Sequence, residues 1–229
     1  MLKSIHDRFN QVVTWLKRRR RINPKKGIVK VNIGSGLQVA PDWYNVDGHL
    51  RAFFSAWPAF MLGWLYRFIQ KSKEVYSREE YIRIFKSHRF IHHDLRYGIP
   101  FKDGSVDFVY SSHLLEHLHR DEAERLVRDG FRVLKPKGVF RICVPDLAHA
   151  MSLYRRGEKA RALGYFFNET KQDTYTYHRY LYDFEMLEQL LLLAGFSTVT
   201  RCGFRRGRMP DIQILDNRPE ETLFVEAVK

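Results

Sequence analysis

The 229-residue chain is 45% hydrophobic and 14% aromatic, which excludes global disorder and suits one domain with an insertion. Its net charge of +13 is largely local, because seven of the positive charges lie at Lys17, Arg18, Arg19, Arg20, Arg21, Lys25 and Lys26. Such a run favours contact with an anionic surface, or a solvated basic arm, over a nucleic-acid groove spread across the fold.

The N-terminal segment is predicted to be an amphipathic helix that ends at the basic run. Its apolar residues recur at three- and four-residue steps: Leu2, Ile5, Phe9, Val12, Val13 and Leu16. Polar residues interrupt them and no small-residue cleavage site follows, unlike in a secretory signal. The two cysteines, Cys143 and Cys202, are too few for a disulfide framework and fit a reducing compartment. We therefore expect a cytoplasmic protein with an N-terminal segment at residues 1–26 and one domain at residues 27–229.

Two strands are predicted at residues 28–33 and 43–47, and a helical insertion follows them. The stretch Ala52–Tyr66 carries no charge and is rich in aromatic residues. It is too short to span a bilayer and contains Pro58 and Gly63. We expect residues 50–87 to form helices that either pack on the core or expose an apolar face.

Alternation of strands and helices then resumes. Strands are predicted at residues 90–95, 105–110, 139–144, 196–202 and 222–228, and helices at 121–134, within 146–168, and from Asp183 to Gly195. A turn is predicted at Lys135–Gly138. This rhythm predicts an α/β fold with a mostly parallel sheet and helices on both faces.

The most informative motif is the run Val31–Gly36, in which a strand-like stretch ends at two glycines. Glycine adopts backbone angles closed to other residues and lets a ligand approach the main chain. Ligands of open α/β sheets bind beyond the carboxyl ends of the strands. An acid at the end of the next strand can accept hydrogen bonds from the ribose hydroxyls of such a ligand. Asp47 stands at that place. The third glycine of a dinucleotide motif is missing, since position 39 is valine.

Taken in order, these stretches resemble a class I S-adenosylmethionine-dependent methyltransferase of type 11, in a bacterial subgroup of predicted methyltransferases. The resemblance runs from about Gly27 to the C-terminus without the insertion. Similar segments are Val31–Gly36, His93–Leu95, Ile99–Phe101, Ser105–Tyr110, Ser112–Leu118, Phe131–Gly138, Val144–Asp146 and His178–Asp183. It implies a Rossmann-like sheet of seven strands with the last one antiparallel. The chain departs from the family pattern at Asn32, Leu37 and Lys137, where an acid and two glycines are usual.

The resemblance implies S-adenosylmethionine as cofactor and assigns its contacts. The glycine run would pass beneath the methionine part, and Asn32 would bond its amine or order the loop. Asp47 would bind the ribose and Asp94 the adenine amine, while a serine after the fourth strand would face the sulfonium. The expected cofactor residues are Asn32, Gly34, Ser35, Gly36, Asp47, Asp94, Leu95, Ser111 and Ser112.

Four residues are candidates for a general base in methyl transfer: His113, Glu116, His117 and His178. His113 is expected nearest the methyl group, because it directly follows the fourth strand. The alternative is that these side chains only pack or hydrogen-bond within the fold. His178, flanked by Tyr177 and Tyr180, could line a groove wall.

The same stretch spells the inverted zinc-protease motif H-x-x-E-H, from His113 to His117. Zinc would need a third ligand, for instance Glu185 or Glu188. Because the motif follows a strand within a nucleotide-binding series, we expect no metal.

The sequence thus favours methyl transfer to a small-molecule or glycan acceptor, and the resemblance implies a role in cell-surface polysaccharide synthesis. One alternative is an RNA methyltransferase, with the basic run and Arg201, Arg205, Arg206 and Arg208 on the phosphates. Another is a non-catalytic scaffold that binds S-adenosylmethionine. The N-terminal helix, its basic end and the apolar insertion also resemble an interfacial anchor on an anionic membrane; the alternative is that they pack on the domain.

Overall fold

A single seven-stranded sheet forms the centre of the protein. The computed structural model describes residues 2–67, 75–167 and 177–229, with side chains from residue 8 onward. The strands are β1 (Lys30–Ile33), β2 (Trp43–Asp47), β3 (Arg89–His92), β4 (Val106–Ser112), β5 (Leu134–Pro145), β6 (Thr198–Cys202) and β7 (Thr222–Val228). Their order is β3-β2-β1-β4-β5-β7-β6. Neighbours from β3 to β5 pair in parallel, whereas β7 is antiparallel to β5 and β6. The predicted Rossmann-like sheet with an antiparallel last strand is confirmed.

Helices occupy the connections, with two short 3₁₀ turns at Leu95–Tyr97 and Leu115–His117. The α-helices in the described residues are α1 (Leu2–Leu16), α2 (Leu50–Phe54), α3 (Ala59–Tyr66), α4 (Arg78–Ser87), α5 (Arg120–Val133), α6 (Leu147–Arg155), α7 (Lys159–Leu163), α8 (Phe184–Leu193) and α9 (Ile212–Leu215). The predicted helices are thus present, and only α9 lacked a signal in the sequence.

Local chemistry explains where several helices begin and end. Asp183 accepts a hydrogen bond from the backbone N–H of Met186 and caps α8, as predicted. Asp146 caps α6 by accepting from Ala148. Gly195, with a φ of +107°, ends the stretch after α8 in a conformation that suits glycine.

Two apolar cores lie on opposite faces of the sheet, because successive side chains of a strand alternate. On one face Val31, Ile33 and Val109 pack beneath α5 and α8. The other face is covered by the segment between β6 and β7, which contains α9 and Met209. The segment covers a face that a helix between β1 and β2 would otherwise cover, since residues 34–42 contain no helix. The two cysteines are free.

The prediction of a separate turn at Lys135–Gly138 is wrong. These residues belong to β5, whose register with β4 shifts between Val106 and Phe108. The chain bends there because Lys137 adopts a φ of +65°. A side-chain-bearing residue stands in the left-handed region, where the family more often has glycine.

The helices α2, α3 and α4 follow β2, where the helical insertion was predicted. Leu62, Tyr81 and Phe85 form a small separate core between α3 and α4. Phe60 and Trp64 on α3 are exposed. No helix in the described part of the chain is long and apolar enough to cross a membrane.

The N-terminal helix α1 contacts the domain through polar side chains and through Phe9, whose ring lies edge-on to Phe53 at 6.1 Å. The Nδ2 atom of Asn10 donates to the Gly48 carbonyl at 3.0 Å, and Asn10 Oδ1 lies 2.8 Å from His92 Nε2. Val12 and Leu16, on the predicted apolar face, are exposed. The division of the chain at residues 26 and 27 stays a prediction.

Candidate active site

The glycine run forms a tight loop at the carboxyl end of β1. Gly34 and Gly36 have φ angles of +66° and +53°, which other residues rarely adopt. A Cβ atom on Gly34 would lie 2.9 Å from the Leu114 side chain, whereas one on Gly36 would meet nothing within 4 Å. The loop therefore packs on the segment after β4 at one glycine and leaves open space beside the other.

Asn32 lies beneath this loop, and its side chain hydrogen-bonds to it. Its Nδ2 atom donates to the Gln38 carbonyl at 2.9 Å and to Asn45 Oδ1 at 3.2 Å. The side chain is buried, with 2% of its surface exposed. Of the two roles expected for Asn32, the structure supplies the contacts for ordering the loop.

The two acids at the ends of β2 and β3 are fixed by backbone donors. Asp47 Oδ2 accepts from the Gly36 N–H at 2.8 Å, and Oδ1 accepts from the His49 N–H at 2.7 Å. Asp94 accepts from the Arg96 N–H at 3.0 Å and pairs with its guanidinium at 2.7 Å. Each Asp47 oxygen can accept a second hydrogen bond, so Asp47 keeps acceptor capacity for a ligand. Both Asp94 oxygens already accept two hydrogen bonds each from Arg96, so Arg96 would have to move for Asp94 to bind a ligand. Leu95, next to Asp94, is buried.

The end of β4 brings two serines beside the glycine loop. Ser111 is aligned with Ile33 of β1, the residue before Gly34. Its Oγ atom is buried and has no hydrogen-bond partner among the described residues. Ser112 follows it at the last position of the strand, and Ser35 is buried in the loop. An unpaired buried hydroxyl costs free energy unless a ligand completes it.

These features fit the expected cofactor. A glycine loop with open space, an acid at the next strand end and an unpaired hydroxyl lie at the carboxyl edge of the central strands, where nucleotide-like ligands of such sheets bind. The described structure brings the predicted cofactor residues to this edge, and their individual contacts with the cofactor stay predictions.

His113 occupies a strained position directly after β4. Its φ of +50° is unusual for a residue with a side chain. Its Nδ1 atom lies 3.1 Å from Glu116 Oε1, and its Nε2 atom lies 3.2 Å from Thr222 Oγ1. Because the carboxylate can only accept, Nδ1 carries the proton and Nε2 accepts from the Thr222 hydroxyl. Both ring nitrogens are therefore engaged, so His113 offers no free lone pair to an acceptor.

Glu116, His117 and His178 form a second group, here called the EHH cluster. One potential ligand atom of each lies within 4.8 Å of the others. His117 Nδ1 lies 3.1 Å from the Tyr177 carbonyl, and His178 Nδ1 bonds the Tyr165 carbonyl. Since a carbonyl only accepts, both rings carry their proton on Nδ1 and keep a lone pair on Nε2.

Burial sets the electrostatics of this cluster. Glu116 is 0% exposed, and its Oε2 atom has no hydrogen-bond partner within the described ranges. Burial lowers the pKa of His117 from its usual value, although the Glu116 charge opposes this shift. His117 is therefore neutral at physiological pH and can act as a lone-pair donor.

Several residues singled out from the sequence do not join this site. Glu185 and Glu188, proposed as third zinc ligands, lie on α8 and are not part of the EHH cluster. Tyr182 is buried and packs on Tyr180 with ring centroids 5.1 Å apart, so these two belong to the core side. Tyr175, which belongs to the same tyrosine-rich stretch around His178 in the sequence, lies outside the described residues.

Thr222 is a site residue that sequence reasoning missed. It begins β7, about a hundred positions after its partner His113, and no local pattern marks it. Only the antiparallel pairing of β7 with β5 brings the two side chains together.

The sheet order and the glycine loop define a class I methyltransferase fold, and the family comparison agrees. A family model described as a methyltransferase domain, of type 11, matches residues 66–142. The chain therefore has a class I methyltransferase fold, part of which matches the type 11 methyltransferase domain. None of the curated protein sequences matches it.

Solved structures share the fold at low sequence identity. A SAM-dependent methyltransferase from Archaeoglobus fulgidus is 16% identical, with a TM-score of 0.51 over 96% of this chain and 94% of that one. A protein provisionally assigned as an O-methyltransferase from Nostoc punctiforme is 15% identical, with a TM-score of 0.51 over 96% of this chain and 55% of that one. At such identities the likeness concerns the fold alone.

Proposed function

We propose that this methyltransferase acts on a hydroxyl group of a small-molecule or glycan acceptor that binds beside the EHH cluster. The observation that carries the proposal is the cluster itself. Glu116 and His117 follow β4 closely and His178 joins them from the segment before α8, so that a buried, partly unpaired carboxylate meets two imidazoles whose Nε2 atoms keep lone pairs. Such groups suit an acceptor whose oxygen must be held and relieved of a proton.

When bound, S-adenosylmethionine supplies a methyl group activated by its positive sulfur. The chain's own residues then need mainly to hold the two reactants close and in line. In this proposal the glycine loop and Asp47 position the cofactor, and the EHH cluster positions the acceptor. His113, engaged by Glu116 and Thr222, orients the Glu116 carboxylate from the other side.

An exposed aromatic side chain supports a glycan acceptor. Tyr177 is 42% exposed and adjoins the cluster through its carbonyl, which bonds His117. Aromatic faces pack well on the apolar faces of sugar rings. With a glycan acceptor, the protein would serve the synthesis of cell-surface polysaccharides.

A nucleic-acid acceptor is disfavoured by the position of a basic groove. Lys25, Lys26, Arg89 and Arg208 line this groove together with Tyr44. It lies at the amino ends of β1 and β3, and the candidate active site lies at the opposite, carboxyl edge. A phosphate backbone held there would not present a base or ribose to the cluster.

The protein is proposed to be cytoplasmic with peripheral attachment to an anionic membrane. Val12, Leu16, Phe60 and Trp64 expose apolar surface on α1 and α3, and the basic run follows α1 directly. Apolar and basic residues together favour binding to anionic lipid. Co-sedimentation with liposomes should recover more protein with anionic than with neutral lipid, and equal recovery would count against this attachment.

A labelled-methyl assay against a panel of sugars, polyols and RNA tests the acceptor class. We expect transfer to hydroxyl acceptors, reduced about a hundredfold or more in His117→Gln. The matched control is His88→Gln, because His88 also bonds a backbone carbonyl, that of Ile84, but lies just after α4 and is not part of the EHH cluster. Calorimetry should show unchanged binding of S-adenosylmethionine in both variants. Cofactor binding without transfer to any acceptor would favour the scaffold alternative, and transfer to RNA alone would contradict the proposal.

A further inference from the structure

We propose that Glu116, His117 and His178 bind one divalent transition-metal cation, of which Zn²⁺ is the first to test. Two imidazole nitrogens and a carboxylate oxygen are a ligand set that zinc and related cations accept in open sites. The three ligand atoms lie within 4.8 Å of one another. Tetrahedral bonds of about 2.0–2.2 Å place ligand atoms roughly 3.3 Å apart, so side-chain movements of about 1.5 Å or less would complete the site.

The surrounding hydrogen bonds already orient the ligands. Ligating histidines commonly donate their other ring N–H to a carbonyl or carboxylate, which fixes the tautomer. Here the Tyr177 carbonyl holds His117 at 3.1 Å, and the Tyr165 carbonyl holds His178. His113 donates to Glu116 Oε1 and so fixes the carboxylate in turn. The three proposed ligands are therefore each supported by a further group.

An independent observation points to a missing partner for Glu116. Its side chain is 0% exposed, and Oε2 has no hydrogen-bond partner among the residues that the structure describes. A buried carboxylate oxygen without a hydrogen-bond partner is costly. A bound cation would satisfy this oxygen and neutralise the carboxylate.

The arrangement differs from the zinc motif that the sequence spells. His113 begins H-x-x-E-H, yet both of its nitrogens are taken by Glu116 and Thr222. His178, which reaches the cluster from the segment before α8, takes its place. His117 and His178 are only partly buried, so a fourth coordination position faces solvent, as in catalytic rather than structural zinc sites.

The open position suggests a role that rests on the proposed function. An oxygen ligand, such as the acceptor hydroxyl, fits a position left by two histidines and a carboxylate. Cation binding itself can be measured without any acceptor, so the two proposals can fail separately.

The test uses the untagged full-length protein after treatment with a chelator. Titration with Zn²⁺ by calorimetry should give one equivalent, and Co²⁺ should produce visible absorption of a low-symmetry site. His178→Ala and Glu116→Gln should each weaken Zn²⁺ binding by at least about a hundredfold, since losing an outer supporting group alone costs about 10- to 100-fold. His88→Ala should bind as the wild type does.

Folding and activity are followed on the same samples. Far-UV circular dichroism of the metal-free variants checks folding; should the fully buried Glu116→Gln variant unfold, the partly exposed His178→Ala variant decides. A wild-type protein that binds no Zn²⁺, or a folded His178→Ala variant that binds it equally well, would overturn the inference. Zn²⁺ binding without methyl transfer would leave the metal site standing and refute the proposed function instead.

Discussion

Replacing Asn32 by the acid that the family usually carries should destabilise this protein. The Asn32 amide donates to two acceptors, the Gln38 carbonyl and Asn45 Oδ1. A carboxylate cannot donate, so Asn32→Asp would set a buried charge against two oxygens. Asn45 cannot relieve the conflict by turning over, because its Nδ2 atom donates to the Arg89 carbonyl at 3.1 Å.

The expected cost follows from these contacts. Two acceptors, the half-buried Gln38 carbonyl and the buried Asn45 Oδ1, each lose a donor, at about 1–3 kcal/mol apiece. A midrange loss of about 4 kcal/mol corresponds to a fall in Tm of roughly 8–16 °C for a domain of this size. The cost should shrink at lower pH, because burial raises the pKa of an introduced carboxyl group and protonation restores one donor.

Urea unfolding at pH 7.5 and pH 5 measures this cost. Asn23→Asp is the matched control, since Asn23 is exposed and the substitution adds the same charge. The control should unfold within about 0.5 kcal/mol of the wild type. A free energy of unfolding for Asn32→Asp within that same margin at pH 7.5 would refute the view that Asn32 orders the glycine loop by donating hydrogen bonds.

Three further predictions concern other parts of the structure. Lys137→Gly should raise Tm by roughly 2–4 °C, because it relieves a left-handed φ of +65° worth about 1 kcal/mol; a lower Tm in a thermal melt would contradict this. Burial, together with the charge of Lys17, lowers the pKa of His92 to about 4. The stability that neutral His92 gives the folded protein is therefore fully present above pH 6.5 and is lost as the pH falls toward 4. The wild type should therefore lose about 2 kcal/mol more than His92→Gln between pH 7 and pH 5, and parallel pH profiles of unfolding would argue against this. Asp47→Asn should weaken binding of S-adenosylmethionine by at least about tenfold in calorimetry, whereas the exposed control Asp42→Asn should not; equal affinities would remove Asp47 from the cofactor site.

Much of the fold followed from local patterns. Apolar runs such as Val139–Val144 predicted strands, and Asp183 and Gly195 marked the limits of a helix, because capping and hydrophobic periodicity act over a few residues. The alternation of strands and helices predicted a mostly parallel sheet, and the antiparallel last strand came from the family resemblance. The α9 helix was missed because four residues carry too little periodicity to be recognised.

The candidate site was predictable only where neighbours in sequence are neighbours in space. The glycine loop and the acid at the end of β2 could be predicted without the tertiary structure. The predicted parallel sheet already implies that the ends of adjacent strands meet at one edge. The engagement of Asn32 with Gln38 and Asn45, in contrast, required the loop conformation itself.

The sequence by itself determined the alternation of strands and helices and the glycine loop, because these depend on residue types at short spacing, and its resemblance to a known family implied the class of enzyme. The tertiary structure alone decided that His113 bonds Thr222 and that His178 joins Glu116 and His117. The physical reason is that these partners lie some 60 to 110 positions apart in the chain, and only strand order and packing bring their side chains together. The same packing buries Glu116 and leaves its Oε2 atom without a hydrogen-bond partner among the described residues. Together with His117 and His178, this atom makes the cluster a candidate metal site.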